Sequence, residues 1–419
     1  MSLLKDLKWR GLIFDIMNEE ELEKRLEEKP ITLYCGFDPT ADSMHIGSLL
    51  PIVTLLRFLK AGHRIVVLVG GGTGLVGDPS GKTSARTMND EKTVEQWVLD
   101  FKKQFSRFFN FDNKTCILKN NIEWLGPLKA IDMWRIYGQH FNINLMLAKE
   151  AIKSRLETGI TYLEFSYMVM QSIDFLNMYL DKDLHCEMQI GGQDQWGNIT
   201  AGSDLIRKIV GPEAQTYGLT IPLITKRDGS KFGKTETGTI WLDENITSPY
   251  EMYQFLINTT DDEVIRFLKF YTFLNKEEIE MFEMKVKTEP HLREAQQKLA
   301  QEVMLLVHGE EAYNQAVKVS QSLFSGDIKN LNLEDILIGF KDVPSIAVSG
   351  DVNIIETLIT VNCAVSKRAA REFINNGAIS VNGEIVKDIN FMITKEQAFE
   401  QTVTIIRRGK KNYYLIKHL

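Results

Sequence analysis

Apolar positions along the chain follow two periods. Ile31-Thr32-Leu33-Tyr34-Cys35, Arg64 to Val69, Cys116-Ile117-Leu118, the alternating His185 to Ile190, and Leu219 to Ile224 are short runs bounded by turn residues, which predicts five strands. Between them the spacing turns helical. Leu49, Ile52, Val53, Leu56 and Leu59 predict a helix over 47–60 that stops at Gly62. Residues 90–110 give a charged helical pattern, 128–180 a long apolar one, and 198–210 another helix. Residues 1–30 read as helices, with Leu22 and Leu26 the only apolar positions between Glu19 and Lys29.

Strand and helix alternate, so the first half is expected to be α/β, a doubly wound Rossmann-like parallel sheet. Residues 1–225 form this catalytic domain and 226–247 a mobile loop and connection. Residues 248–320 carry Phe255, Val264, Phe267, Leu268, Ile279, Leu299 and Val303 at helical spacing and predict an all-helical module. Gly326, Asp327, Gly339, Pro344 and Gly350 make 321–351 a linker. Residues 352–419 predict a small separate domain, with an Asn382-Gly383 hairpin and two final strands over 403–414.

Charge sharpens that division. The 419 residues carry a net charge of −7, but residues 352–419 hold ten lysines and arginines against six acidic residues. The rest of the chain holds 39 basic against 50 acidic groups. A basic tail on an acidic body suits a polyanionic partner. No apolar run approaches the roughly 18 residues needed to cross a bilayer, and MSLLKDLKWRG lacks an export signal core. Cys35, Cys116, Cys186 and Cys363 lie far apart, which argues for a reducing cytoplasm and against a zinc site.

Candidate chemistry collects in the loops that follow the strands. Gly36 to Met44 is turn chemistry, and His45-Ile46-Gly47-Ser48 opens the next helix, where free backbone N–H groups favour an anion. Gly47 admits a close approach of ring or phosphate. The second strand run, 64–69, leads into Gly70 to Thr83. Gly72, Gly74 and Gly77 match G-x-G-x-x-G, but no strand ending in an acid follows about 20 residues later. Gly81-Lys82-Thr83 lacks the four-residue spacing of a P-loop. Lys82 and Arg86 remain mobile cations suited to a phosphate. Tyr167, Gln171 and Asp174 fall on one helical face and make a polar pocket wall. Gly191 to Asn198 is a glycine turn bearing a carboxylate and amides, suited to ribose or amino-acid groups. Thr225 to Gly238 is flexible and carries four basic residues in nine, as a loop that closes over phosphates requires. All open onto one crevice.

His45-Ile46-Gly47-Ser48 resembles the first signature of the class I aminoacyl-tRNA synthetases, with serine in place of the second histidine. Tyr34 to Thr40, the Tyr167–Gln171–Asp174 face, Gly191 to Asn198 and Lys231-Phe232-Gly233-Lys234-Thr235 extend the likeness to the bacterial tyrosyl-tRNA synthetases. Ser366 to Ile374 with Val381-Asn382-Gly383 resembles an S4-like RNA-binding domain. The resemblance implies a two-step reaction, tyrosyl-adenylate formation from L-tyrosine and ATP followed by transfer to tRNA(Tyr). It implies that Tyr34 and Asp174 hold the phenolic hydroxyl, that Asp78, Tyr167 and Gln171 hold the α-ammonium, and that Gln189 lines the pocket. Asp38, Thr40, His45, Gly47, Ser48, Gly192, Asp194, Gln195, Lys231 and Lys234 are the implied ATP side, with Asp194 at the ribose and Gln195 by the reacting carboxylate. His45, Lys82, Arg86, Lys231, Lys234 and Thr235 are the implied catalytic groups, and Mg²⁺ travels with ATP. Arg207, Lys208, Lys367, Arg368, Arg371, Arg407, Arg408, Lys410 and Lys411 are implied tRNA contacts. A homodimer is also implied. A tryptophan-activating relative shares this fold, but an indole offers no hydroxyl to Tyr34 and Asp174. An RNA-binding protein without catalysis would have no use for His45, Asp78 and both loop lysines.

Overall fold

In the computed structural model, which describes residues 2–80, 88–153, 155–225, 234–235, 238–325, 328, 331–341, 343–409 and 412–419, all five expected strands form and a sixth joins them. β1 (Asp15–Ile16), β2 (Thr32–Phe37), β3 (Arg64–Val69), β4 (Cys116–Asn120), β5 (Cys186–Gly192) and β6 (Tyr217–Ile221) lie in the order β1-β6-β5-β2-β3-β4. β2 to β6 are parallel; β1 is antiparallel to β6. Two residues carry no period, so β1 left no mark in the sequence; the Asp15 N–H donates to Thr220 Oγ1 at 2.9 Å. The continuous apolar runs reflect burial on both faces: every residue of β3 after Arg64 is buried.

Chain order makes the crevice. From β2 the chain moves outward through β3 and β4, then returns to the other side of β2 for β5 and β6. The loops leaving β2 and β5 therefore depart in opposite directions, and the carboxyl ends of these two strands border an open cleft.

α1 (Leu3–Arg10), α2 (Glu19–Glu28), α3 (Leu49–Lys60) and α4 (Glu91–Phe105) follow expectation. The expected helix over 128–180 does not run unbroken. After α5 (Ile122–Leu125) come α6 (Ala130–Asp132), a wide turn over Met133–Tyr137, a tight one over Gly138–His140, α7 (Ile143–Leu147), α8 (Glu150–Lys153) and finally α9 (Tyr162–Leu180). Local chemistry explains the breaks. Asn142 caps α7, Gly159 has φ +90°, and Thr161 with Glu164 closes a capping box on α9. α10 (Trp196–Val210) packs beside α9. β7 (Lys234–Thr235) and β8 (Gly238–Thr239) form a small hairpin.

The chain divides into two compact units, Met1–Thr247 with Thr259–Val303, and Ser248–Asn258 with Met304–Leu419. α11 (Pro249–Ile257), α12 (Asp261–Tyr271), α13 (Lys276–Thr288), α14 (Glu294–Val307) and α15 (Gly309–Ser325) make 248–320 helical as expected. They do not form one body of their own: α12 and α13 belong to the first unit, α11 and α15 to the second.

The second unit contains a five-stranded sheet. Its members are β9 (Ser345–Val348), β11 (Ile379–Val381), β12 (Glu384–Ile385), β14 (Val403–Arg408) and β15 (Asn412–His418), ordered β12-β11-β14-β15-β9. β10 (Val352–Asn353) and β13 (Met392–Ile393) pair separately. α16 (Leu333–Gly339) and β9 lie within the expected linker, and β9 runs parallel to β15 as the edge of the sheet. Within the expected linker, α16 and β9 are thus packed parts of the second unit. One face of the sheet packs on α17 (Ile354–Thr360) and α18 (Lys367–Asn375) through Leu358, Ala370, Ile374 and Ile406. The other packs Val403, Ile405 and Leu415 on Val319, Ile336 and Phe340. The predicted hairpin has Asn382 at φ 49° and Gly383 at φ 88°, two left-handed residues that match the twist of the strands. Among the described residues no helix is long and apolar enough to cross a membrane.

Candidate active site

A cavity of about 300 Å³ opens between the carboxyl ends of β2 and β5. β2 supplies Tyr34 and, one residue beyond its end, Asp38; β5 supplies Gln189 and Gly192. α9 presents Tyr167, Gln171 and Asp174 to the same space, as their helical spacing requires. Thr40, His45, Gly47, Ser48, Asp78 and Gln195 complete the set of expected residues on the wall. Asp194 is not on it; Gln195 Nε2 lies 3.5 Å from its Oδ2.

Two chains of hydrogen bonds organise the wall. In the first, Tyr167 OH donates to Asp38 Oδ2 at 2.7 Å and Thr73 Oγ1 to Asp38 Oδ1 at 2.6 Å. Asn121 Nδ2 donates both to Thr73 Oγ1 at 2.8 Å and to Asp174 Oδ2 at 3.0 Å. Trp124 Nε1 reaches Asp174 Oδ1 at 2.7 Å. In the second, Gln195 Nε2 donates to Asp78 Oδ2 at 2.6 Å, and Asn198 Nδ2 bridges Gln195 Oε1 and Gln171 Oε1 at 3.2 and 2.9 Å. Asp38, expected on the nucleotide side, is therefore tied to Tyr167. Asn121, Trp124, Thr73 and Asn198 were missed as site residues. Asn198 closes the Gly191–Asn198 turn, and Asn120-Asn121 stands at the carboxyl end of β4, the kind of position that marked the other loops.

Within this network two polar atoms stand apart. Tyr34 OH and Gln189 Oε1 are buried and have no hydrogen-bond partner among the described residues. A buried orphan polar atom is costly, so a cavity that keeps two of them is built for a ligand that satisfies them.

The electrostatics have one sign. Asp38, Asp78 and Asp174 line the cavity, and none of its described lining residues is lysine or arginine. That arrangement attracts an ammonium. Burial pushes the Asp174 carboxyl up to about 7, against the Asn121 and Trp124 hydrogen bonds that favour its ionised form; the nearby Asp38 charge also raises it. Burial likewise raises the Tyr34 and Tyr167 phenols well above their ordinary value, with the Asp174 charge next for Tyr34 and the Asp38 charge next for Tyr167.

The start of α3 departs from expectation in one respect. Gly47 N–H donates to His45 Nδ1 at 3.0 Å and Ser48 N–H to His45 O at 2.8 Å, so these backbone donors are already used. An accepting Nδ1 puts the proton of a neutral imidazole on Nε2. The group that faces the cavity here is the His45 ring, not the backbone N–H groups beneath it. A Cβ at position 47 would lie 2.8 Å from His45 Cε1, so a larger residue there would displace the imidazole. Lys82, Arg86, Lys231, Lys410 and Lys411 lie outside the described residues, and for Lys234 and Thr235 only the backbone on β7 is described.

Arg207 and Lys208 are exposed on α10, where Lys208 Nζ donates to His140 O at 2.8 Å. Lys367, Arg368 and Arg371 are exposed on α18, while Arg407 is half-buried. Arg408 is engaged internally: its guanidinium donates to Cys363 O and stacks 5.2 Å from the Phe373 ring centroid. Its role is accordingly more structural than expected.

Comparison with known proteins agrees with this geometry. The family described as class I tRNA synthetases (W and Y) matches residues 26–325, and the SYY-like C-terminal domain of tyrosine–tRNA ligases matches 335–416. Tyrosine–tRNA ligases of Bacillus caldotenax and Geobacillus stearothermophilus are each 56% identical over 421 aligned residues, covering all of both chains. The Staphylococcus carnosus ligase is 51% identical over all of this chain and 99% of its own. A C-terminally truncated mitochondrial tyrosyl-tRNA synthetase of Aspergillus nidulans superposes with a TM-score of 0.69 at 30% identity, covering 77% of this chain and 94% of its own. An Archaeoglobus fulgidus tyrosyl-tRNA synthetase complexed with L-tyrosine shares the fold, with a TM-score of 0.57 at 15% identity over 75% of this chain and 99% of its own.

Proposed function

The chain belongs to the tyrosine-activating class I tRNA synthetases and ligates tyrosine to tRNA; from that premise we propose how its residues divide the work. The observation that carries the assignment is the orphan Tyr34 hydroxyl in the cavity that Asp174 also lines. A tyrosine side chain entering between Tyr34 and Asp174 gives the Tyr34 hydroxyl a partner and donates its own phenolic proton to Asp174. Its α-ammonium goes to Asp78, Tyr167 and Gln171, with Asp38 adding charge from behind Tyr167. Gln189 borders the ring. The carboxylate then lies toward Gln195 and the nucleotide.

ATP is the second substrate and Mg²⁺ enters with it. A tyrosine carboxylate oxygen attacks the α-phosphorus; a new P–O bond forms as the bond to the β-phosphate oxygen breaks, and pyrophosphate leaves with that electron pair. Negative charge grows on the phosphates in a cavity whose described wall is acidic, so cations must come from the loops. Lys82, Arg86, Lys231 and Lys234 supply them, His45 adds a neutral N–H donor, and all work by stabilising charge, with no covalent nucleophile from the protein. Thr40, Gly47, Ser48 and Gly192 shape the nucleotide side, Asp194 takes the ribose, and Thr235 closes the lysine loop. A hydroxyl of the tRNA terminal adenosine then displaces AMP from the tyrosyl carbonyl.

Lys367, Arg368 and Arg371 on one face of α18, with Arg407, Lys410 and Lys411, bind tRNA as an S4-like domain does, and Arg207 and Lys208 contact it from the catalytic unit. Exposed Ile131, Trp134, Ile136, Ile143, Leu145 and Tyr162 suit a face against a second copy of the chain. Four buried, unpaired cysteines suit a reducing cytoplasm.

ATP–pyrophosphate exchange with each of the twenty amino acids tests the assignment. Tyrosine alone is expected to support rapid exchange; exchange driven by tryptophan, or by none, overturns it.

Lys234→Ala should slow adenylate formation while tyrosine affinity stays nearly unchanged, because the ammonium meets charge that is present mainly in the transition state. Exchange kinetics beside equilibrium tyrosine binding separate the two, and an equal loss in both would make the loop a substrate clamp instead.

The pH profile carries the Asp174 shift. Only the ionised carboxylate can accept from Asn121, Trp124 and the substrate hydroxyl together, so kcat/KM for tyrosine should fall as pH drops below about 7, approaching tenfold per unit. The sign for stability is the reverse. A carboxyl raised above its unfolded value contributes stability that is fully present below pH ~4 and lost as pH rises through about 7. The ligand-free protein thus holds a destabilised carboxylate that tyrosine binding relieves. A tyrosine profile flat from pH 6 to 8 would remove Asp174 from recognition of the ionised acceptor kind.

A further inference from the structure

Gln104 lies in the last turn of α4, flanked by Phe101 and Phe105, and is 4% exposed. A primary amide on an apolar helix face is unfavourable unless its hydrogen bonds are met. Here its partners are three consecutive residues. Gln104 Oε1 accepts from Met44 N–H at 3.0 Å and lies 3.3 Å from Ser43 Oγ; its Nε2 donates to Asp42 O at 3.3 Å. Ser43 and Met44 are themselves buried, so these bonds are not exchanged with water. The next residue is His45, whose side chain is exposed to the cavity.

The other side of the same segment is held as well. Leu242 N–H donates to Met44 O at 2.8 Å, Ile46 N–H to Ile240 O at 2.9 Å, and Asp243 N–H to Ser43 Oγ at 3.2 Å. Arg107, just beyond α4, donates to Glu244 Oε1 at 2.8 Å. The chain from Asp42 to Ile46 is therefore gripped between the end of α4 and residues 240–243, with an isolated antiparallel bridge between His45 and Trp241. The direction of the imidazole follows from this backbone and from the Gly47 bond to Nδ1.

We propose that Gln104 is a positioning residue for His45, its amide holding residues 42–44 so that the imidazole meets the nucleotide phosphates. The inference rests on the reading that His45 acts on ATP. A purely structural role, satisfying the buried Met44 N–H, predicts lost stability without a change in the chemistry. A positioning role predicts a specific loss of the chemical step, since a displacement of about 1 Å at a catalytic group can cost on the order of 10²-fold in rate.

The test is a double-mutant cycle on the full-length protein. Gln104→Met keeps the length of the side chain and removes both polar atoms. In ATP–pyrophosphate exchange it is expected to lower kcat at least about tenfold, with the tyrosine Kd measured without ATP within about twofold of wild type. In a His45→Ala background the same substitution should cost less than about twofold more, because the group it positions is gone. Ser43→Ala, a milder change in the same contact, should show the same pattern at smaller size and serves if Gln104→Met folds poorly. Equal losses in both backgrounds, a matching loss of tyrosine affinity, or a wild-type kcat for Gln104→Met overturns the proposal. A His45→Ala enzyme with wild-type kcat overturns the reading of His45 and the inference with it; an impaired His45→Ala beside a silent Gln104→Met overturns the positioning alone.

Discussion

Asp174→Ala is expected to lose tyrosine activation by about 3–4 kcal/mol, or two to three powers of ten in kcat/KM, while changing phenylalanine activation far less. The carboxylate is fully buried and already accepts from Asn121 and Trp124. Removing it strands both donors and the incoming phenol, and each buried unpaired group costs roughly 1–3 kcal/mol. Phenylalanine has no hydroxyl to strand. In the wild-type protein it instead leaves Tyr34 OH and Asp174 without the group they await, a cost that the substitution partly removes. The tyrosine-to-phenylalanine ratio should therefore narrow by at least about tenfold. The measurement is kcat/KM for both amino acids in pyrophosphate exchange, wild type against variant. An unchanged ratio would show that Asp174 does not read the hydroxyl.

Removing the second sheet is expected to separate the two half-reactions. A chain ending at residue 325 should keep pyrophosphate exchange within a few-fold, yet lose tRNA charging by about two to three powers of ten, as phosphate contacts are lost. The place of the cut follows from packing. Ending at 351 would keep β9 and α16 without β15, and would expose Ile336 and Phe340, which pack on Val403, Ile405 and Leu415. In the full-length protein charging should also weaken as salt rises. Full charging by the shortened chain would take the RNA-binding role away from residues 352–419.

Much of the molecule is legible in short stretches of sequence because the forces concerned are local. Arg64 to Val69 is strand wherever it is buried. Asn382-Gly383 makes a left-handed turn because both residues tolerate positive φ, and Ser366 caps α18 by accepting from Ala369 N–H at 3.2 Å. The i, i+4, i+7 spacing of Tyr167, Gln171 and Asp174 places them on one face of α9, and they do reach one cavity. Even the breaks in 128–180 were written locally, in Asn142, Gly159 and Thr161, but the apolar density around them hid the signal.

What only the tertiary structure decided are the meetings of residues far apart in the chain. The order β1-β6-β5-β2-β3-β4 creates the cleft, and no strand by itself encodes its neighbour. Asn121 and Trp124 find Asp174 across 53 and 50 residues, and Tyr167 meets Asp38 across 129. Gln104 takes hold of Ser43 and Met44 from 60 residues away. β9 is a sheet edge only because β15 is there to accept it. A single buried hydrogen bond of this kind has no period and no composition, since one donor and one acceptor suffice. Its partner is chosen by the packing of everything between, and that is why Tyr167, Gln171 and Asp174 could be read from the chain while Thr73, Asn121 and Trp124, which hold the wall in place, could not.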